Sequence, residues 1–192
     1  MNKDMQYNKR LASVSDATRY FFKSFFYMSK MIERDRKIVD EKFVERIMLT
    51  VTQVNGCKIC SQAHAKRAFE VGLTKEEISK MLSDEKDVVS LNESVGVLFA
   101  TDYADERGRP NQNAINRLYQ TYGRRNGKAI IGACAMIMMG NTLGIAFDTF
   151  KKRLKGIKTG SSIFRELGIF MIFIVMLPIE ILTFVLGFII NC

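Results

Sequence analysis

The sequence is poor in residues that interrupt helices and in residues that cross-link small domains. Its 192 residues include 2 prolines, 13 glycines and 4 cysteines. The scarcity of proline, together with long runs rich in Leu, Ile, Met and Phe and few alternating runs, predicts an all-α chain rather than a β-sandwich or barrel. Four cysteines in a chain of this length do not form a disulfide framework.

The sequence also shows no internal repeat and no secretory signal. The first fifteen residues are polar and lack the apolar run and small-residue cleavage site of a signal peptide. We therefore expect the thiols to lie in a reducing compartment. The apolar content of 47% is enough to form a core of about one domain.

Positive charge dominates the chain, with 29 Lys and Arg against 20 Asp and Glu, a formal net charge of +9. Such an excess permits an anionic partner, either nucleic acid or a lipid surface. The basic run at residues 151–158 has no interleaved aromatic residues and adjoins a hydrophobic segment. This placement favours lipid headgroups, and we expect no nucleic-acid partner.

The hydrophobic segment at residues 167–190 is a predicted transmembrane helix. At about 1.5 Å per residue it is long enough to cross a hydrocarbon core of about 30 Å. Basic residues precede it, whereas only Asn191 and Cys192 follow it. The positive-inside rule then predicts a tail anchor in the cell membrane, with the remainder of the chain in the cytoplasm.

Two residues within this segment leave other arrangements open. Glu180 would cost a few kcal/mol near the middle of a bilayer, and Pro178 removes a helical hydrogen bond. A re-entrant or interfacial helix, or a helix buried between subunits of a cytoplasmic oligomer, remains an alternative.

The chain divides into a predicted N-terminal helical segment at residues 1–38, a helical domain at 39–158 and a hydrophobic tail at 159–192. Asp40 is a candidate N-cap, and Thr74 with Glu77 forms a capping-box pattern. An aromatic cluster at residues 20–27 is expected to lie on a helix that packs against the core or against the membrane face. The remaining helices are predicted at 41–54, 57–71, 75–82, 89–105, 112–122 and 129–153, with breaks at 55–56, 108–110 and Gly123.

Two of the four cysteines and the only histidine lie within residues 57–64. On a helix that begins at the Asn55-Gly56 turn, Cys57, Cys60 and His64 are three and four residues apart and share one face. A helix N-terminus lowers the pKa of a thiol, and a neighbouring imidazole can accept the thiol proton. The pattern therefore predicts a reactive dithiol.

A Cys-x-x-Cys pair also occurs in zinc sites and in thioredoxin-like proteins. Thioredoxin-like proteins require a βαβ setting, whereas the surrounding sequence is helical. Three zinc ligands on two helical turns suit tetrahedral coordination poorly. We expect neither a metal ion nor a bound cofactor.

Glu45, Cys57, Cys60 and His64 together resemble the core motif of the alkylhydroperoxidase D-like branch of the carboxymuconolactone decarboxylase family. Eleven residues separate Glu45 from Cys57, and three separate Cys60 from His64. The resemblance spans residues 39–78 and does not cover the hydrophobic tail.

The resemblance implies an all-helical bundle that assembles as trimers or hexamers and reduces hydroperoxides through its thiols. It assigns the peroxidatic role to Cys60 and the resolving role to Cys57, with His64 and Glu45 as the proton relay. It also implies an external dithiol reductant, in the family a lipoylated protein. A weaker part of the resemblance reaches Asn141 and Phe147.

One position departs from the family pattern, because Ile59 stands where members often carry a second histidine. The relay would then consist of His64 and Glu45 alone. A disulfide oxidoreductase or redox sensor without peroxide turnover, and a non-catalytic scaffold of the same fold, therefore remain alternatives.

Helical geometry alone predicts other roles for several of these residue types. It places Glu45 beside Lys42 and Arg46 at the flank of a polar face, where a carboxylate is ordinarily solvated. The run around Cys134, with Met136, Met138 and Met139, is expected to fill the core.

Overall fold

The computed structural model describes residues 10–83 and 89–190, with side chains in 10–83 and 89–178. The described residues are all helix, turn or loop, without a strand, which confirms the predicted all-α class. The helices are α1 (Val14–Ile32), α2 (Glu41–Asn55), α3 (Lys58–Glu70), α4 (Lys75–Leu82), α5 (Leu91–Asp105), α6 (Gln112–Leu154) and α7 (Ile163–Ile190).

Local sequence signals define most of the helix boundaries. The Asp40 carboxylate accepts the amide hydrogen of Phe43 at 2.8 Å and begins α2. Gly56, with a φ of 69°, ends α2 in the left-handed conformation that glycine adopts without strain. Thr74 and Glu77 form the expected capping box, so α4 has the predicted bounds.

The long helix α6 is the centre of the fold, and α1, α2, α3, α5 and α7 all pack against it. Its apolar stretch from Ala129 to Ile137 is largely buried, including Cys134. Gly132 allows α1 to approach closely, because a Cβ there would lie 3.0 Å from the Tyr27 carbonyl oxygen. The predicted core role of Cys134 and the neighbouring methionines is confirmed.

The predicted break at Gly123 between two helices is confirmed, but the second helix begins earlier than the predicted residue 129. Gly123 does break the helical conformation, with φ 75° and ψ 161°. The chain resumes the helix immediately afterwards, so residues 124–128 are helical rather than a connection. Buried Asn126 helps to hold residues 124–128 in the helix. Its side chain accepts a hydrogen bond from the Asp35 amide and donates one to the Tyr122 carbonyl oxygen.

Helix α2 is enclosed by its neighbours, since α3, α4, α5 and α6 all contact it. Residues 43–52 are consequently all buried, polar and apolar alike. The expectation from helical geometry that Glu45 is solvated is wrong, because Glu45 is only 6% exposed. A polar face marks a solvated surface only where no other element covers it.

The predicted hydrophobic helix at 167–190 is present as part of α7, which packs against α1 and α6. Glu180 and Cys192 lie outside the described side chains. Among the described residues, α6 is long and apolar enough to cross a membrane, but 67% of its most apolar window is buried. A core helix of a soluble protein has the same properties, so this feature is weak evidence for a membrane.

One ion pair ties the start of α7 to the end of α6. Glu166 is buried and accepts hydrogen bonds from the Arg153 guanidinium at 3.0 and 3.1 Å. These hydrogen bonds hold the pKa of Glu166 below its usual range. The pair is therefore formed at neutral pH, and its contribution is lost as the pH falls through the lowered pKa.

We predict that Glu166→Gln loosens the start of α7, because the variant loses the charged partner of Arg153. Trypsin at neutral pH should then cleave the connection containing Lys155 and Lys158 several-fold faster than in the parent. Glu106→Gln, at an exposed carboxylate at the end of α5, is the matched control. Equal cleavage of all three proteins would show that the ion pair does not hold α7.

Candidate redox-active site

The two cysteines of the motif meet at the first turn of α3. Cys57 is the N-cap residue, and its sulfur accepts the amide hydrogen of Cys60 at 3.3 Å. The Cα atoms of the pair are 5.3 Å apart, and the two sulfurs form a disulfide. Cys60 is 8% exposed and Cys57 is 1% exposed. The structure therefore shows the predicted Cys-x-x-Cys pair joined as a disulfide.

Helix α6 lies directly against the disulfide. A Cβ at Gly144 would come within 2.8 Å of the Cys57 sulfur and 3.0 Å of the Cys60 sulfur. One turn earlier, the carbonyl oxygen of Gly140 lies 3.7 Å from the Cys60 sulfur. The absence of a side chain at Gly144 is what lets the sulfurs pack against the backbone of α6.

His64 and Glu45 form a hydrogen-bonded pair between α3 and α2. The distance from His64 Nδ1 to Glu45 Oε2 is 2.8 Å. The Glu45 side chain is 8% exposed, whereas that of His64 is 25% exposed. Because His64 follows Cys60 by four residues on α3, both side chains lie on one face of that helix. The structure thus brings all four predicted site residues to the junction of α2 and α3.

Arg46, the residue after Glu45, joins α2 to two further helices through ion pairs. The buried Arg46 guanidinium lies 2.6 Å from a Glu77 oxygen of α4 and 3.2 Å from a Glu93 oxygen of α5. A hydrogen bond from the Thr74 backbone lowers the pKa of Glu77, whereas burial raises the pKa of Glu93. This arginine therefore links α2 to both α4 and α5.

Three further residues from the sequence analysis lie at or near this site. Asn141 is buried and joins α6 to α2, since its side chain accepts from Thr52 Oγ1 at 3.1 Å and donates to the Val51 carbonyl oxygen at 3.4 Å. Phe147 is half exposed on α6, one turn beyond Gly144, and Ile59 is 44% exposed between the cysteines. An exposed apolar residue therefore stands between the two cysteines.

The remaining described cysteine is remote from this chemistry. Cys134 is fully buried, and burial raises the pKa of its thiol, which keeps it protonated and unreactive. Within residues 10–83 and 89–178, no group of three His, Cys, Asp or Glu side chains is placed to hold a metal ion.

These features define an all-helical chain with a disulfide at a helix N-terminus and a carboxylate–imidazole pair beside it. A sequence model of the carboxymuconolactone decarboxylase family, which includes enzymes, matches residues 21–88. The match includes Glu45, Cys57, Cys60 and His64, and it covers a little more than a third of the chain. Neither the curated proteins nor the solved structures gave a match.

Sequence reasoning missed the contact between Gly144 and the two sulfurs. The signal was a glycine well inside the helix predicted over 129–153. Glycine inside a helix is unfavourable by about 0.5–1 kcal/mol relative to alanine, so such a residue can indicate close approach of another element. The sequence alone does not say which element approaches.

We predict that Gly144→Ala destabilises the oxidised protein by about 1–3 kcal/mol, because the added methyl group overlaps both sulfurs. Denaturant unfolding of the full chain in detergent measures the effect. Gly140→Ala is the matched control, since the nearest atom to a Cβ there is 4.0 Å away. The close contact between α6 and the disulfide would be refuted if the two variants were equally stable.

Proposed function

We propose that the protein is a thiol peroxidase of the alkylhydroperoxidase D-like kind. The observation that carries the proposal is the disulfide of Cys57 and Cys60 beside the hydrogen-bonded pair of His64 and Glu45. Such a site needs only a peroxide and a dithiol to complete a cycle. The family match over the same residues supports the proposal.

In the first step the Cys60 thiolate attacks the outer oxygen of a hydroperoxide. The O–O bond breaks, Cys60 is oxidised to a sulfenic acid, and the alcohol leaves after taking up one proton. The Cys57 thiol then attacks the Cys60 sulfur, which forms the disulfide and releases water. Cys60 is assigned the attacking role because it is the more exposed residue of the two, at 8% against 1%.

The proton movements fall to His64 and Glu45. A neutral imidazole that donates from Nδ1 to the Glu45 carboxylate has its Nε2 free to accept a proton. His64 can therefore take the Cys60 proton and return it to the leaving alkoxide. The buried Glu45 carboxylate orients the ring and stabilises the imidazolium that forms in between.

The hydrogen bond from the Cys60 amide to the Cys57 sulfur favours a second candidate function. A thiolate at Cys57 would be stabilised by the helix N-terminus, as a nucleophile for disulfide exchange requires. A disulfide oxidoreductase would then use Cys57 as the attacking residue, with Cys60 resolving the mixed disulfide. The two functions differ in which cysteine is indispensable.

The proposal extends to the surroundings of the site. An external dithiol, such as a lipoylated protein, would reduce the disulfide by exchange and leave the chain without a bound cofactor. The chain would act as a homo-oligomer, a trimer or hexamer as in the family. Helix α7 would anchor it to the cell membrane with the thiols on the cytoplasmic side, which would make lipid-derived hydroperoxides accessible.

We predict that the reduced chain loses two thiols for each cumene hydroperoxide consumed, in a stopped-flow experiment that counts free thiols. All proteins carry Cys192→Ser, so that the count refers to the motif. Cys60→Ser should be inert, and Cys57→Ser should react once and stop at the sulfenic acid. The peroxidase proposal is wrong if the parent reacts no faster than free glutathione.

The same set of variants separates the second candidate function. A disulfide oxidoreductase would reduce a model protein disulfide at a rate abolished by Cys57→Ser, without accelerated peroxide consumption. A non-catalytic scaffold would show neither reaction. Each function therefore has its own pattern across two substrates and two variants.

We predict that Glu45→Gln lowers the rate of peroxide reduction by about 10²-fold, the lower end of what positioned acid–base groups contribute. The amide keeps the shape of the side chain but does not stabilise the imidazolium. The rate is measured across pH, because a purely structural effect would lower it without changing its pH dependence. Glu70→Gln, at an exposed carboxylate on α3, should leave the rate and its pH dependence unchanged.

A further inference from the structure

The first helix has an apolar outer face that the rest of the described chain does not cover. Phe22 is 50% exposed, Phe26 is 68% exposed and Ile32 is 72% exposed. With Phe25 and Ser29 they follow the helical spacing of one face, which we call the α1 outer face. An open groove of about 940 Å³ lies along it. Apolar surfaces of this kind mark sites of contact with lipid or protein.

The lysine that interrupts this aromatic cluster is drawn inwards. The Lys23 ammonium donates to the carbonyl oxygen of Gly108 at 2.6 Å and lies 5.9 Å from the centre of the Tyr103 ring. Lys30, nearer the end of the helix, pairs with Glu33 at 2.9 Å. The α1 outer face thus consists of aromatic and aliphatic groups with one serine.

Helices α1 and α7 pack side by side and run in the same direction. Val14 lies against Gly168. Seven residues further along α1, the ring of Phe21 packs edge-on against the ring of Phe173, with 5.6 Å between the ring centres. Movement along α1 from Val14 to Phe21 therefore corresponds to movement along α7 from Gly168 to Phe173. If α7 is a membrane anchor, α1 therefore lies beside its first turns.

This pairing sets the depth of α1 in a bilayer. Phe173 is six residues beyond the start of the hydrophobic segment at Leu167, which corresponds to about 9 Å along the helix axis. Phe21 is held at the same level by its contact with Phe173. A bilayer that receives α7 from Leu167 onwards therefore also reaches the residues of α1 that follow Phe21.

The charges around the pair match a phospholipid surface. The outward row of α7 is apolar, and exposed basic residues precede it at the end of α6 and in the connection that follows. The row contains Phe164, Leu167, Met171 and Ile174, and the basic residues are Lys151, Lys155 and Lys158. Anionic headgroups attract such residues, whereas apolar residues beyond them enter the acyl layer.

We propose that the α1 outer face is a second lipid-contacting surface, which enters a phospholipid bilayer beside α7. The proposal rests on the membrane anchor proposed above for α7. It adds that α1 contacts the lipid together with α7. The domain is then seated on the bilayer through α1 and cannot swing freely about the connection between α6 and α7.

The absence of tryptophan from the chain permits a direct test. Single tryptophans are introduced into the full chain as Phe26→Trp on α1, Ile174→Trp on α7 and Phe69→Trp at the exposed end of α3. Each variant is reconstituted into vesicles of equal parts phosphatidylcholine and phosphatidylglycerol, with ordinary or brominated acyl chains. Bromine quenches tryptophan only within the hydrocarbon layer.

We expect the brominated vesicles to remove most of the emission of Phe26→Trp and Ile174→Trp, and little of that of Phe69→Trp. Quenching of Ile174→Trp alone would overturn the role of α1 and leave the anchor standing. Quenching of neither would overturn both. Emission from Phe26→Trp that is shifted to shorter wavelength, unquenched and dependent on protein concentration would mean that a second copy covers α1, which also overturns the proposal.

Discussion

The complete enclosure of α2 is the constraint on which the rest of the structure depends. Because residues 43–52 are all buried, the charged groups among them need partners, since an unpaired buried charge is costly. Glu45 is paired with His64, Arg46 with two glutamates, and Thr52 with Asn141. These partners lie on α3, α4, α5 and α6, so the polar groups of one helix determine where its neighbours sit.

The proposed redox site lies where the buried helix α2 leads into the N-terminus of α3. The turn at Gly56 directs the chain from the buried end of α2 into α3 and places Cys57 at the N-cap. The pairing of Glu45 with His64 then sets the rotation of α3, which brings Cys60 against the backbone of α6. The thiols are therefore positioned by the same contacts that stabilise the helical bundle.

The sequence predicts the helices well where a cap or a glycine turn marks their ends, as at Asp40, Thr74 and Gly56. It predicts the candidate site because scarce residue types cluster at fixed spacing. Helical geometry alone fails for Glu45, since the polarity of a face does not report which elements cover it. Gly144 was missed for a related reason, because close approach between helices distant in sequence is a property of their packing.

The central claim is that the hydrogen-bonded pair of Glu45 and His64 activates Cys60. The most direct test is the rate of alkylation of Cys60 by iodoacetamide across pH, in the full chain carrying Cys57→Ser and Cys192→Ser. The account predicts that the rate rises at a lower pH than for glutathione, and that Glu45→Gln moves the rise to higher pH. A pH dependence equal to that of glutathione, unchanged by Glu45→Gln, would contradict it.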